Sequence, residues 1–223
     1  MTLQLRLLHL ADSAVPVGSF AYSFGLESAV NAHAINNVNE LANYLYAFLQ
    51  QTTRFELPFV KDVFKAEDTT ETIARLVEEY DAMQFIPSMR KASITQGRNW
   101  MKVLMSFYPD ASLHDIDGLF QERSLPSHVT ILLALSLKKI GYNFQDVASL
   151  ILHFALRDQL SAAIRLGVIG PMEAHQLQHK FYTILDDLLL QVPDDASQAF
   201  RSAFMLDIFQ MNHQHIYSKL FQN

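Results

Sequence analysis

The sequence predicts an all-α, single-domain bundle of roughly ten helices, on three observations. Apolar residues recur at helical spacing nearly throughout the 223 residues, while alternation with a period of two is nowhere sustained. No Asn-Gly or Asp-Gly hairpin signal occurs. Half of the residues are apolar and only 18% are charged, which suits one substantial core, and no linker-like stretch divides the chain.

The first helix carries Leu3, Leu7, Leu8 and Leu10 and ends near Asp12 and Ser13. Pro16 fixes φ and Gly18 frees it, so the chain reverses between Ala14 and Ser19. Ser19 is placed to cap a second helix beginning near Phe20, whose first turns carry Phe20, Tyr22 and Phe24. Gly25 inside that helix implies close approach of another backbone. Asn36 to Asn39 form a turn and cap before Leu41, Leu45, Phe48 and Leu49. Leu57-Pro58 starts the next helix, with Phe59, Val63 and Phe64 on its face. Asp68, Thr69 and Thr70 break it, and Ile73, Leu76, Val77 and Tyr80 resume the pattern. Phe85-Ile86-Pro87 closes that helix, because the residue before proline avoids the α region. Ser88 caps a long helix from Met89 to Phe107, in which Gly97 marks a helix contact.

Tyr108 to Leu125, which holds Pro109 and Gly118, reads as an irregular, mobile connection. Val129 to Ile140 is a buried helix closed by a left-handed Gly141. Asn143 caps the next, with Val147, Leu150, Ile151, Phe154 and Ala155 as its inner face. Gly170-Pro171 restarts the chain as a helix from Met172 to Leu190. Pro193-Asp194-Asp195 opens the last helix. It carries two apolar stripes, one of Phe200, Ala203, Phe204, Ile208 and Met211, the other of Met205, Phe209, Ile216 and Leu220. Two stripes exceed what one core needs, so this helix is either buried on both sides or waits for a partner.

Composition excludes several functions. The net charge of -6 without a Lys/Arg-rich stripe argues against nucleic acid. The absence of cysteine removes disulfides, thiolate metal sites and thiol nucleophiles. The amino terminus lacks a signal-peptide pattern, and the apolar region from Leu150 to Ile169 is interrupted by His153, Arg157, Asp158 and Arg165. No membrane span is therefore expected, and the expected location is cytoplasmic. No phosphate-cradling loop, dinucleotide fingerprint, nucleophile elbow or H-E-x-x-H motif is present. Asp186-Asp187 and Asp194-Asp195 are sequence neighbours that diverge on a helix. His175 and His179 share a helix face but lack a third ligand nearby. The expectation is a non-enzyme without catalytic residues, resident metal or cofactor.

Leu10 to Glu27, LADSAVPVGSFAYSFGLE, resembles the amino-terminal signature of the UreF family of urease accessory proteins, L-x-D-S-x-x-P-x-G-x-aromatic-x-x-S-x-G-L-E. Residues 213–221, HQHIYSKLF, are similar to the family ending H-E-x-x-Y-S-R-L-F. Arg90, Gln96, Gly97 and Arg98 are similar to an arginine-rich segment of that family. The resemblance implies a cytoplasmic, non-catalytic urease maturation factor that dimerises. Its implied partners are a UreD/UreH-type accessory protein and the nickel-carrying GTPase UreG, assembled on apo-urease. The implied partner-binding residues are Phe20, Tyr22, Ser23 and Glu27 in the first signature and His213, Tyr217, Ser218, Lys219, Leu220 and Phe221 in the second. Phe20, Gln214 and Lys219 stand where relatives usually carry Tyr, Glu and Arg, and lysine cannot reproduce a bidentate arginine contact. Residues 212–223 are expected to be loosely held until a partner binds. Outside the resemblance, two other classes fit the pattern: an all-helical small-molecule enzyme or carrier with a pocket lined by Phe, Met and Tyr, and an unrelated helical adaptor.

Overall fold

The computed structural model describes residues 3–67 and 69–222. Among these there are helices and turns but no strand. In order, the helices are α1 Leu3–Leu10, α2 Leu26–Asn31, α3 Val38–Gln51, α4 Leu57–Lys65, α5 Thr70–Ala82, α6 Pro87–Phe107, α7 Leu113–Glu122, α8 Val129–Ile140, α9 Phe144–Arg165, α10 Pro171–Leu189 and α11 Phe204–Asn212. Because α3 and α4 run on through a π turn, Thr52–Glu56, the eleven segments make ten rods, as the periodicity predicts.

Helix α8 is apolar on every side, and Thr130 through Leu137 are all buried. A helix of that kind belongs at the centre. It packs on α4 and α6, with α7 and α9 beside it, while α9 also lies against α3 and α10. Gly97 of α6 is the point of closest approach. A Cβ there would stand 1.8 Å from the Ser127 carbonyl oxygen, so only glycine admits the start of α8 at this distance. Helix α9 has the length and mean hydropathy, 1.2, to cross a membrane, but half of it is buried inside the protein, where it serves as a core helix.

Several caps are where the sequence puts them. Asn37 accepts from the amides of Asn39 and Glu40, Asn143 from that of Asp146, and Gly141 closes α8 at φ 107°. The buried face of α5 is Ile73, Leu76, Val77 and Tyr80, as expected.

Other boundaries differ for identifiable reasons. Leu57-Pro58 does start α4, as expected, but the helix is joined to α3 through the π turn with no break between them. Proline has no N–H, the turn widens, and the Arg54 carbonyl instead accepts from Phe200 N at 3.2 Å. Ser88 does not cap α6, since Pro87 already occupies its first turn. The expected irregular connection after Tyr108 contains α7, which buries Leu113 and Phe120 and packs Ile116 and Leu119 on the core. On α9 the expected face is buried at Val147 and Leu150 and half-buried against the core at Ile151, Phe154 and Ala155, and the helix also buries Leu152, Leu156 and Leu160. Pro193-Asp194-Asp195 opens only a short turn, Ala196–Gln198, capped by the Asp195 carboxylate. The last helix begins nine residues later, at Phe204. The expected break at Asp68 lies outside the described residues, as does the side chain of Leu3.

Candidate functional site: the junction of the two chain ends

After α1 the chain turns on itself. Asp12 Oδ1 accepts from Ala14 N, and Val17 N bonds to Val15 O across Pro16. Ser19–Ala21 form a single 3-10 turn entered through a left-handed Gly18, and Ser19 makes no cap. The second helix begins only at Leu26, because Phe24 and Gly25 are both left-handed, at φ 52° and 95°. Gly25 therefore precedes the helix instead of lying within it. Close approach is nevertheless the reason for glycine: a Cβ would sit 3.1 Å from Gln210 N of α11. The carbonyls that this bend exposes are taken up by side chains from distant helices. Gln159 Nε2 donates to Ser23 O, while Tyr44 Oη and Gln210 Nε2 both donate to Phe24 O.

This bend aims Glu27 at the other end of the chain. Glu27 is 5% exposed, and its Oε2 lies 2.6 Å from His213 Nε2. Its Oε1 accepts from Leu220 N at 2.6 Å, and Oε2 also accepts from Phe221 N at 3.3 Å. One carboxylate thus satisfies three donors of the tail, the arrangement in which a buried charge is tolerable. Gln222 N continues the junction to Ala21 O. Arg165, in the last turn of α9, completes it. Its guanidinium donates to Phe20 O and lies 3.9 Å from the Phe20 ring centroid and 4.1 Å from that of Phe221.

The two terminal signatures, nearly two hundred positions apart, therefore form one structural unit. Within it the ten sequence-predicted residues divide. Tyr22, Ser23, Glu27, His213 and Phe221 are buried, and Glu27 bonds to His213 and Phe221 across the junction. Phe20, Tyr217 and Leu220 are exposed apolar groups, and Ser218 and Lys219 are exposed beside them. Lys219 Nζ donates to Gln214 O, closing its own turn. His213, Leu220, Phe221 and Gln222 of the tail bond to Glu27 and Ala21, acceptors that composition does not reveal.

Helix α11 lies against this unit with apolar groups on both faces, Leu206 and the half-buried Phe209 packing inward. Its inner face carries Leu206, Asp207 and Gln210, while Phe204, Met205, Ile208 and Met211 face solvent, Phe204 at 74% exposure. The inward polar groups are all engaged. Arg201 forms an ion pair with Asp207 and lies over the rings of Phe55 and Phe85. Gln51 donates to Asp207 Oδ1 at 3.3 Å and accepts from Ala203 N at 2.9 Å. Sequence periodicity missed Arg165, Arg201, Gln51 and Gln210. The only available signal was a cation in the last turn of α9, where it complements the helix dipole.

No group of three or more His, Asp or Glu residues able to hold a metal occurs among the described residues. His175 and His179 are exposed on α10. Fold and site together define the class: a helical bundle whose interlocked ends support a last helix with its apolar side outward. The family model described as UreF matches residues 35–182, and the chain belongs to the UreF family. It is 31% identical to urease accessory protein F of Oryza sativa subsp. indica and 30% identical to that of Arabidopsis thaliana. Each alignment covers 95% of this chain, with 82% and 89% of the relatives. Urease accessory protein UreF of Corynebacterium glutamicum is 26% identical over 97% of this chain and 96% of its own length. The family model spans neither terminal signature, so the junction is an observation of structure added to that match.

Proposed function

We propose that this chain is a non-catalytic urease maturation factor of the cytoplasm. In this reading it joins a UreD/UreH-type accessory protein and a UreG-type GTPase on apo-urease for nickel incorporation, and works as a homodimer. Membership of the UreF family supports the maturation role. The observation that carries the scaffold reading is α11. A nine-residue helix that turns Phe204, Met205, Ile208 and Met211 to solvent while burying an ion pair has the construction of a docking element. Tyr217 and Leu220 on the anchored tail supply aromatic and aliphatic groups of the kind that dominate binding energy. Glu27, His213 and Phe221 support that surface from beneath, so the partner meets a preorganised platform.

Size-exclusion chromatography with light scattering tests this on the chain alone and mixed with its cognate UreD/UreH-type protein. The expected result is a dimer that joins the partner in one stoichiometric peak. The double substitution Phe204→Ser, Ile208→Ser should lose the partner while retaining its helical circular dichroism. A monomer that ignores the partner would instead favour a small-molecule enzyme or carrier, or an unrelated adaptor. Truncation after Asn212 is a poorer test, because it also removes His213 and Phe221 from the core.

A further inference from the structure

Between the continuous rod α3–α4 and helices α6, α8 and α9 the packing leaves a cavity in two lobes, of about 140 and 110 Å³. Both lobes open partly to solvent, so a small molecule can enter, and a volume of about 150 Å³ is enough to admit benzene. The larger lobe is walled by Phe48, Trp100, Ile151 and Phe154, whereas the smaller reaches Tyr80 and Arg201. Glu56, Gln96 and Thr130 line both.

Two polar groups on these shared walls are incompletely used. Gln96 is 7% exposed, and its Nε2 has no hydrogen-bond partner. Buried amide donors are nearly always satisfied, so an unpaired one facing a cavity points to an occupant. Glu56 accepts from the hydroxyls of Tyr80 and Thr130 through Oε2, and its Oε1 has no bonded partner among the described residues. Burial raises the Glu56 carboxyl above the usual carboxylate range, against the lowering effects of those hydroxyls and Arg201. The full charges at the rim are already matched: Arg157 pairs with Asp158 at 2.7 Å and Arg201 with Asp207. The cavity therefore offers an ion little and a neutral molecule a good deal.

We propose that this cavity is a binding site for a small, largely apolar molecule carrying one amide or carbonyl group. Its body lies against Phe48, Trp100 and Phe154, and its polar group meets Gln96 Nε2 and Glu56 Oε1. The site is separate from the outward face of α11 and does not depend on the maturation reading. The smaller lobe does, however, touch Arg201 and Gln210, which hold α11 in place, so occupancy firms the same platform from within.

Benzamide is the probe, since its ring fills the apolar lobe and its amide can both donate and accept; toluene is the control without a polar group. Calorimetric titration of the full chain should show benzamide binding in the millimolar range or tighter. Gln96→Leu should weaken benzamide by about fivefold or more, the loss expected for one hydrogen bond, and leave toluene nearly unchanged. Ala155→Phe, which fills the larger lobe, should abolish both. Either variant alone decides, provided circular dichroism shows it folded. No benzamide binding at about 10 mM, or binding that neither substitution alters, overturns the proposal. A crystal soaked with benzamide that shows only water in both lobes overturns it equally.

Discussion

Glu27 shows how much one side chain does here. It is the shared acceptor for His213, Leu220 and Phe221, so Glu27→Ala leaves a buried imidazole and two amides without their partner. A loss of about 2–4 kcal/mol is expected. Hydrogen exchange should show the amides of Leu220, Phe221 and Gln222 unprotected while those of α8 stay protected. Equal protection in both proteins would refute the clamp. The glycines make a matched pair. Gly97→Ala would drive a methyl into the Ser127 carbonyl, and a cost of about 3 kcal/mol or more is expected. Gly118, inside α7, has open space around its missing Cβ, so Gly118→Ala should stabilise by about 1 kcal/mol. Urea unfolding midpoints check both. The sequence marked Gly97 as a contact from its place in a helical pattern. It could not mark Glu27 as a clamp, because one glutamate two residues past a glycine looks like any other.

At the scale of the element, α11 is the exception to the rule that apolar stripes face inward. The sequence showed two stripes and left open whether both were buried or one waited for a partner. The structure puts both Phe204 and Met205 in solvent, because Arg201 and Gln51 reach Asp207 from the core side and fix the helix by its polar edge. This orientation predicts opposite mutational sensitivity on the two faces. Asp207→Ala strands the buried Arg201 guanidinium and should cost about 3 kcal/mol. Ile208→Ser on the outer face should stay within about 0.5 kcal/mol of the parent by thermal unfolding. If the outer substitution were the costlier, the orientation of α11 would be wrong. The Arg54 carbonyl, four residues before Pro58, likewise finds its donor far away in sequence, at Phe200 N.

For the whole molecule, buried histidines set the response to acid. His128 is fully buried, with its ring nitrogens facing Asp81 and Ser93, Arg90 behind Asp81 and the Tyr80 ring on its edge. Burial lowers its pKa, outweighing the raising effect of Asp81. His153 is lowered as well, first by burial and then by Arg157. In the unfolded chain both take up protons near pH 6.5, which the folded protein resists. Unfolding therefore binds protons, and stability is fully present above about pH 6.5 and lost as pH falls below it. The limiting slope is about 1.4 kcal/mol per pH unit for each histidine. Glu56, raised by burial, has the opposite sign: its contribution is lost as pH rises through its folded pKa. Urea midpoints measured from pH 7 downward should fall, and His128→Gln should flatten the fall by up to one proton. An unchanged slope in that variant would rule out His128 as the group responsible.

Most of the helices, α7 excepted, their caps at Asn37, Asn143 and Gly141, and the burial of α8 were legible in the sequence, because periodicity and capping are local and each is written within one or two turns. The two terminal signatures were legible as a resemblance. What tertiary structure alone decided is which side chains face one another across the fold: Glu27 with His213, Arg165 between Phe20 and Phe221, and Asp207 with Arg201 beneath an outward apolar helix. A hydrogen bond between residues nearly two hundred positions apart leaves no period in the chain, and a helix with two competing faces chooses between them only when its neighbours supply partners for one.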